Sequence, residues 1–140
     1  YMDVLATMSS VQAAALWVGL IIVLMMLIKL WVGGQRRALK VPSGDVTNAE
    51  FGRATRVQLN AVEDVSVLLA GIAGLGMLGL PAWYIHAVGA LLLLARVLHA
   101  AGLSSSSGFS WGRLIGTFGT LIVYLFVAGA LIVHAFTPLF

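Results

Sequence analysis

The chain contains no cysteine and very little charge. Of its 140 residues, 61% are hydrophobic and only 9% are charged, whereas a soluble domain usually carries roughly 25% charged residues. So few charges cannot cover the surface of a soluble globule, and so apolar a chain does not remain disordered. The absence of cysteine excludes disulfides, cysteine-ligated metals and catalysis by a protein thiol. Any sulfur chemistry must therefore come from a ligand.

Basic residues and histidines are also scarce. Eight Lys and Arg against five Asp and Glu give a net charge of +3. Eight cations are too few for the phosphate-binding face of a nucleic-acid-binding protein, so no nucleic-acid partner is predicted. The three histidines lack the spacing of metal ligands, and no metal site is predicted.

The chain is rich in long hydrophobic segments. A helix that crosses a bilayer needs about 20 apolar residues, and four segments meet this requirement. They cover approximately residues 11–33, 62–80, 82–103 and 114–136. Because these four spans occupy more than half of the chain, residues 1–140 have room for a single transmembrane domain. The sequence predicts an all-α integral membrane four-helix bundle with up-down-up-down topology.

The distribution of basic residues predicts the orientation of this bundle. Five of them lie in the first linker and one precedes span four, whereas the second linker and the C-terminus carry none. By the positive-inside rule, the first and third linkers face the cytoplasm and both termini lie outside. Thr47 or Asn48 is suited to cap a helix that runs from the first linker into span two.

The string RATRVQLNAVED places four polar residues on one face of that helix. They are Arg53, Arg56, Asn60 and Glu63. At about 100° per residue, their side chains fall within an arc of roughly 80°. Gly71 and Gly74 continue the same face, and small residues let another helix come close. The polar stripe is therefore predicted to face protein and not lipid.

Ionisable residues at membrane depth are usually paired and often functional. Arginine binds carboxylates bidentately, glutamate pairs with an ammonium and asparagine suits an amide, so the stripe fits a small zwitterion. In the alternative interpretation, Arg53 and Arg56 are membrane-surface anchors, and Glu63 pairs with Arg96 or Arg56. Asn60 counts against this alternative, because anchoring needs no amide.

Three further basic residues lie near the same side of the membrane. Arg96 and His99 are three residues apart, so they share one face of span three. Snorkelling, or pairing with Glu63, is the expected state of Arg96, and His99 also suits a hydrogen-bonded packing role. Arg113 precedes span four beside Trp111, where it equally suits an interface anchor.

The pattern RxxRxxxNxxE at residues 53–63 resembles the signature of the MAPEG family, the membrane-associated proteins in eicosanoid and glutathione metabolism. The RVLH string at residues 96–99 and the arginine before span four are also similar, and the resemblance covers nearly the whole chain. It implies a homotrimer with glutathione bound between neighbouring protomers near the cytoplasmic ends. The likeness to the short bacterial branch implies a bacterial inner-membrane location.

The resemblance also implies roles for individual residues. The residues expected to bind glutathione are Arg37, Arg53, Arg56, Asn60, Glu63, Arg96 and His99. Arg113 is expected to stabilise the glutathione thiolate and is thus the candidate catalytic residue. The family's synthases usually carry a tyrosine at the position of Leu103.

The leading functional hypothesis is a glutathione transferase or peroxidase that acts on lipophilic electrophiles, with the nucleophile supplied by the cosubstrate. The alternative is a non-catalytic protein that binds lipid or serves as an accessory subunit of a membrane complex, which Leu103 favours. A small four-span drug exporter would need a carboxylate in span one, where the only charged residue is Lys29.

Overall fold

A computed structural model describes residues 2–45, 47–106 and 108–137. It contains the helices α1 (Met2–Thr7), α2 (Ser10–Ala38), α3 (Ala49–Met77), α4 (Ala82–Ser105) and α5 (Trp111–Ala135). The helices α2 to α5 are all long and apolar enough to cross a membrane, and the described residues form no strand. The predicted all-α fold with four membrane-spanning helices is confirmed.

Side-chain caps determine where three of the long helices begin. Ser9 and Gln12 form a capping box at the start of α2, in which each side chain accepts a hydrogen bond from the other's backbone N–H. Asn48 accepts from the backbone N–H of Phe51 and caps α3, and Ser110 caps α5. Because α3 begins at Ala49, one continuous helix carries the polar stripe from the linker into the membrane.

The linkers between the long helices are compact. Before α3, the Thr47 hydroxyl and backbone N–H both donate to Asp45, and these hydrogen bonds lower the pKa of the Asp45 carboxyl. Between α3 and α4, Gly79 adopts a positive φ of 74°, a left-handed conformation that suits the residue after a helix end. Pro81 then precedes α4, where its fixed φ favours helix entry.

The short helix α1 was not predicted, and a histidine connects it to the bundle. Trp17 of α2 donates its indole N–H to Nδ1 of His86 on α4 at 2.9 Å. The His86 proton therefore lies on Nε2, which donates to the carbonyl oxygen of Leu5 at 3.2 Å. His86 thus links α1, α2 and α4 at one end of the bundle.

The core lies along the centre of the four long helices. Its largest fully buried apolar side chains are Ile21, Leu68, Ile72, Leu75, Ile85 and Leu92. A smaller cluster joins Val32 of α2 to Phe51 and Ala54 of α3. This cluster marks the basic end of the bundle, defined here as the end where α2 and α4 finish and α3 and α5 begin.

The helices approach closely where glycines face a neighbour. A Cβ at Gly71 would meet Val127 of α5, and one at Gly74 would meet Leu131. The predicted small-residue face of α3 therefore packs against α5 of the same chain. At the basic end, Gly116 of α5 lies directly against α4, where a Cβ would be 2.5 Å from the Ala95 oxygen and 2.6 Å from Cβ of His99.

Candidate ligand-binding site

A cavity of about 590 Å³ opens at the basic end between α3, α4 and α5. This volume is within the range of small-molecule sites, roughly 300–1,000 Å³. The cavity is lined by Ala49, Gly52, Arg53, Arg56, Asn60, His99, Leu103, Arg113 and Thr117. The fold thus brings five of the predicted site residues together from three helices.

The charge of the lining is entirely positive. Arg53 and Arg56 come from α3 and Arg113 from α5, and none of the lining residues is acidic. A guanidinium remains charged at any physiological pH. Where the chain is described, an ion pair forms between Arg96 and Asp64 and involves none of these three arginines. Three neighbouring cations repel one another, so an anionic ligand would be stabilised here, and carboxylates suit their planar geometry.

Neutral polar groups supplement the arginines. The Asn60 amide N–H donates to the carbonyl oxygen of Arg56 at 3.0 Å, which leaves the amide oxygen of Asn60 available as an acceptor. Thr117 donates its hydroxyl to the carbonyl oxygen of Arg113 at 2.8 Å. The cavity therefore offers acceptor groups for a ligand's N–H groups beside donors for its anionic groups.

Comparison with known proteins identifies the family to which the chain belongs. The model of the MAPEG family matches residues 14–133, which is nearly the whole chain and includes every cavity-lining residue. The chain belongs to the MAPEG family. No curated protein matches it. With its four apolar helices, this MAPEG chain is an integral membrane protein of a family associated with glutathione and eicosanoid metabolism, and MAPEG proteins generally use glutathione.

One predicted contact of this MAPEG protein is wrong. Arg96 neither snorkels nor pairs with Glu63, since its side chain is 1% exposed and its Nη1 lies 2.8 Å from Oδ2 of Asp64. Adjacent residues on a helix point about 100° apart, and it is Asp64 that faces α4, whereas Glu63 is exposed. The signal was present in the sequence, because Asp64 follows the buried stripe of Val57 and Ala61.

Three residues that the MAPEG resemblance assigns to glutathione lie outside the cavity of the single chain. Arg37 is exposed near the end of α2, and Glu63 is exposed about one helical turn beyond Asn60. The Arg96 side chain is only 1% exposed, and it reaches the cavity through His99, whose Nδ1 lies 3.5 Å from its Nη2. Arg96 therefore lies behind the cavity wall and contacts the lining residue His99.

Proposed function

We propose that this MAPEG protein binds glutathione in the cavity and acts as a glutathione transferase or peroxidase on lipophilic electrophiles. The observation that carries this proposal is the convergence of three arginines around one cavity whose lining residues include no acidic one. Glutathione offers two carboxylates to Arg53 and Arg56, and its peptide amides suit Asn60. Glu63 would meet the ammonium group from beyond the end of the cavity.

Arg113 is the residue proposed to activate the ligand. An ordinary thiol has a pKa of about 8.5, so only a small fraction is thiolate at neutral pH. A guanidinium beside the sulfur favours the charged form and lowers that pKa. In the transferase reaction the thiolate forms a bond to the electrophilic carbon, and the leaving group departs with its electron pair. The lipophilic acceptor would enter from the bilayer.

Replacing Arg113 with leucine is expected to raise the pKa of the bound glutathione thiol by about one unit or more. Glutathione affinity is expected to change little, because the carboxylates remain bound by Arg53 and Arg56. The measurement is a pH titration of the ultraviolet thiolate absorbance. Trp111→Leu is the control, since it removes an interface anchor and leaves the charge in place. Identical midpoints in wild type and Arg113→Leu would exclude the catalytic role.

A second candidate function is that of a non-catalytic lipid-binding protein or an accessory subunit of a membrane complex. The supporting observation is that Leu103 lines the cavity, where it supplies no hydroxyl to a bound sulfur. Under this alternative, glutathione added to the purified protein would produce no thiolate absorbance at neutral pH. The proposed enzyme would produce it.

We also propose that the protein is a homotrimer in a bacterial inner membrane, with the basic end in the cytoplasm. Glu63 supports this, because its exposed carboxylate lies on a candidate membrane-spanning helix among exposed apolar side chains, namely Leu59, Val62 and Val67. A carboxylate facing lipid is costly, and a neighbouring subunit would relieve the cost. Native mass spectrometry in mild detergent is expected to give a trimer, and a monomer would contradict the proposal.

A further inference from the structure

A chain of polar groups runs through the bundle from α5 to the cavity. The Tyr124 hydroxyl donates to Asp64, whose Oδ1 and backbone oxygen both lie 3.3 Å from it, and Oδ2 of Asp64 accepts from Nη1 of Arg96 at 2.8 Å. Nη2 of Arg96 then lies 3.5 Å from Nδ1 of His99, and His99 lines the cavity. These four residues are called the polar chain below.

The direction of hydrogen bonding in the polar chain determines the state of His99. A guanidinium only donates hydrogen bonds, so Nδ1 of His99 must be the acceptor in its contact with Arg96. The histidine is then neutral and carries its proton on Nε2, the ring nitrogen that Arg96 does not engage. This N–H is a donor at the wall of a cavity suited to anions.

Asp64 is the group that holds Arg96 in this position. The Arg96 side chain is almost completely buried, and its Nε has no hydrogen-bond partner among the described residues. The guanidinium is therefore held mainly by the Asp64 carboxylate, whose other oxygen is held by Tyr124. A hydrogen bond between charged partners is shorter and stronger than a neutral one, so Asp64 determines where Nη2 points.

We propose that Asp64 and Tyr124 are positioning residues for the cavity. Through Arg96 they hold His99 in the tautomer with the proton on Nε2, so that this N–H donates to an anionic group of the ligand, a carboxylate or a thiolate. The identity of the ligand rests on the proposed function, whereas the state of His99 depends only on the polar chain.

Nitrogen-15 NMR of the ligand-free protein, with labelled histidine, tests the tautomer directly. The His99 signals are assigned by their loss in His99→Gln. We expect an unprotonated Nδ1 and a protonated Nε2 in the wild type, and a mixture of tautomers in Asp64→Asn, which keeps the size but removes the charge. Glu63→Gln is the matched control, because it neutralises the adjacent carboxylate without contacting Arg96. A proton on Nδ1 in the wild type, or an unchanged spectrum in Asp64→Asn, would overturn the proposal.

A milder pair of variants keeps the test valid if Asp64→Asn does not fold. Tyr124→Phe removes one hydroxyl from the polar chain. Tyr84→Phe removes a hydroxyl that lies outside the polar chain and donates to the Phe126 carbonyl oxygen at 2.8 Å. We expect the His99 spectrum to shift toward the mixture in Tyr124→Phe and to stay unchanged in Tyr84→Phe. Equal His99 spectra in these two variants would show that Tyr124 has no positioning role and would refute the polar chain.

Calorimetry with glutathione then separates this proposal from the proposed function. Asp64→Asn is expected to weaken binding about tenfold, the loss of one hydrogen bond to a charged group. Tyr84→Phe is expected to bind like the wild type. A wild-type protein that binds no glutathione would refute the proposed function, while the ligand-free spectra would still decide the role of Asp64. Full affinity in Asp64→Asn would refute its positioning role.

Discussion

Replacing Asp64 with alanine is expected to lower the free energy of unfolding by about 3 kcal/mol, the lower end of the cost of breaking a buried ion pair, because the Asp64 side chain is itself 35% exposed. The reason is that Arg96 would keep its charge in an almost completely buried position without its carboxylate partner. Denaturant titration in a mild detergent measures the effect. Glu63→Ala is the matched control, since it removes the neighbouring but exposed carboxylate. Its effect on stability is expected to be clearly smaller, because Arg96 keeps its carboxylate partner.

A double variant distinguishes loss of the ion pair from loss of packing. Only Arg96 of this ion pair is buried, and removing both partners costs far less than removing Asp64 alone, because no unpaired buried charge remains. Asp64→Leu combined with Arg96→Met is therefore expected to recover most of the stability lost in Asp64→Ala. Equal stability of Asp64→Ala and Glu63→Ala would contradict the assignment of Arg96 to Asp64.

Replacing Gly116 with alanine is expected to destabilise the protein by about 1–3 kcal/mol, the usual cost of overpacking. The added Cβ would lie 2.5 Å from the Ala95 oxygen and 2.7 Å from the backbone nitrogen of His99. These are backbone atoms, so α4 and α5 must move apart to accommodate it. Because His99 is on α4 and Arg113 on α5, the same movement widens the cavity and weakens ligand binding.

Gly129 provides the control on the same helix. A Cβ at Gly129 would meet no atom of the described residues within 4 Å, so Gly129→Ala is expected to be neutral or to stabilise by up to about 1 kcal/mol through helix propensity. Thermal unfolding and glutathione calorimetry of both variants give the comparison. Equal stability of Gly116→Ala and Gly129→Ala would contradict the close packing of α4 and α5.

The sequence predicts the architecture well because a bilayer imposes simple constraints. A spanning helix must be long and apolar throughout, and the four such segments correspond to α2, α3, α4 and α5. Of the two predicted caps, Thr47 and Asn48, the structure has Asn48, whose side chain suits a helix start. The helix α1 was not predicted, since its six residues are too few to show a periodic pattern; the contact of Leu5 with His86 comes from tertiary packing.

The candidate site was predictable to the extent that helix periodicity and topology determine it. Arg53, Arg56 and Asn60 share a helical face, and alternating helices bring the end of α4 beside the starts of α3 and α5. The partner of Arg96 was assigned incorrectly, because choosing between adjacent carboxylates requires the rotation of α3 against α4. That rotation depends on packing throughout the bundle, including the contact of Gly71 with Val127.

The proposal assigns the two carboxylates of glutathione to Arg53 and Arg56 at the basic end, and its sulfur to Arg113. Calorimetry of the purified protein with glutathione and with its dimethyl ester isolates the contribution of the carboxylates, because the ester keeps the thiol, the amine and the peptide but loses both negative charges. We expect saturable binding of one glutathione per chain, and an affinity for the ester lower by roughly 100-fold or more, since a lost charged partner costs about 2–5 kcal/mol. Equal affinity for the two compounds, or no saturable binding of glutathione, would contradict it.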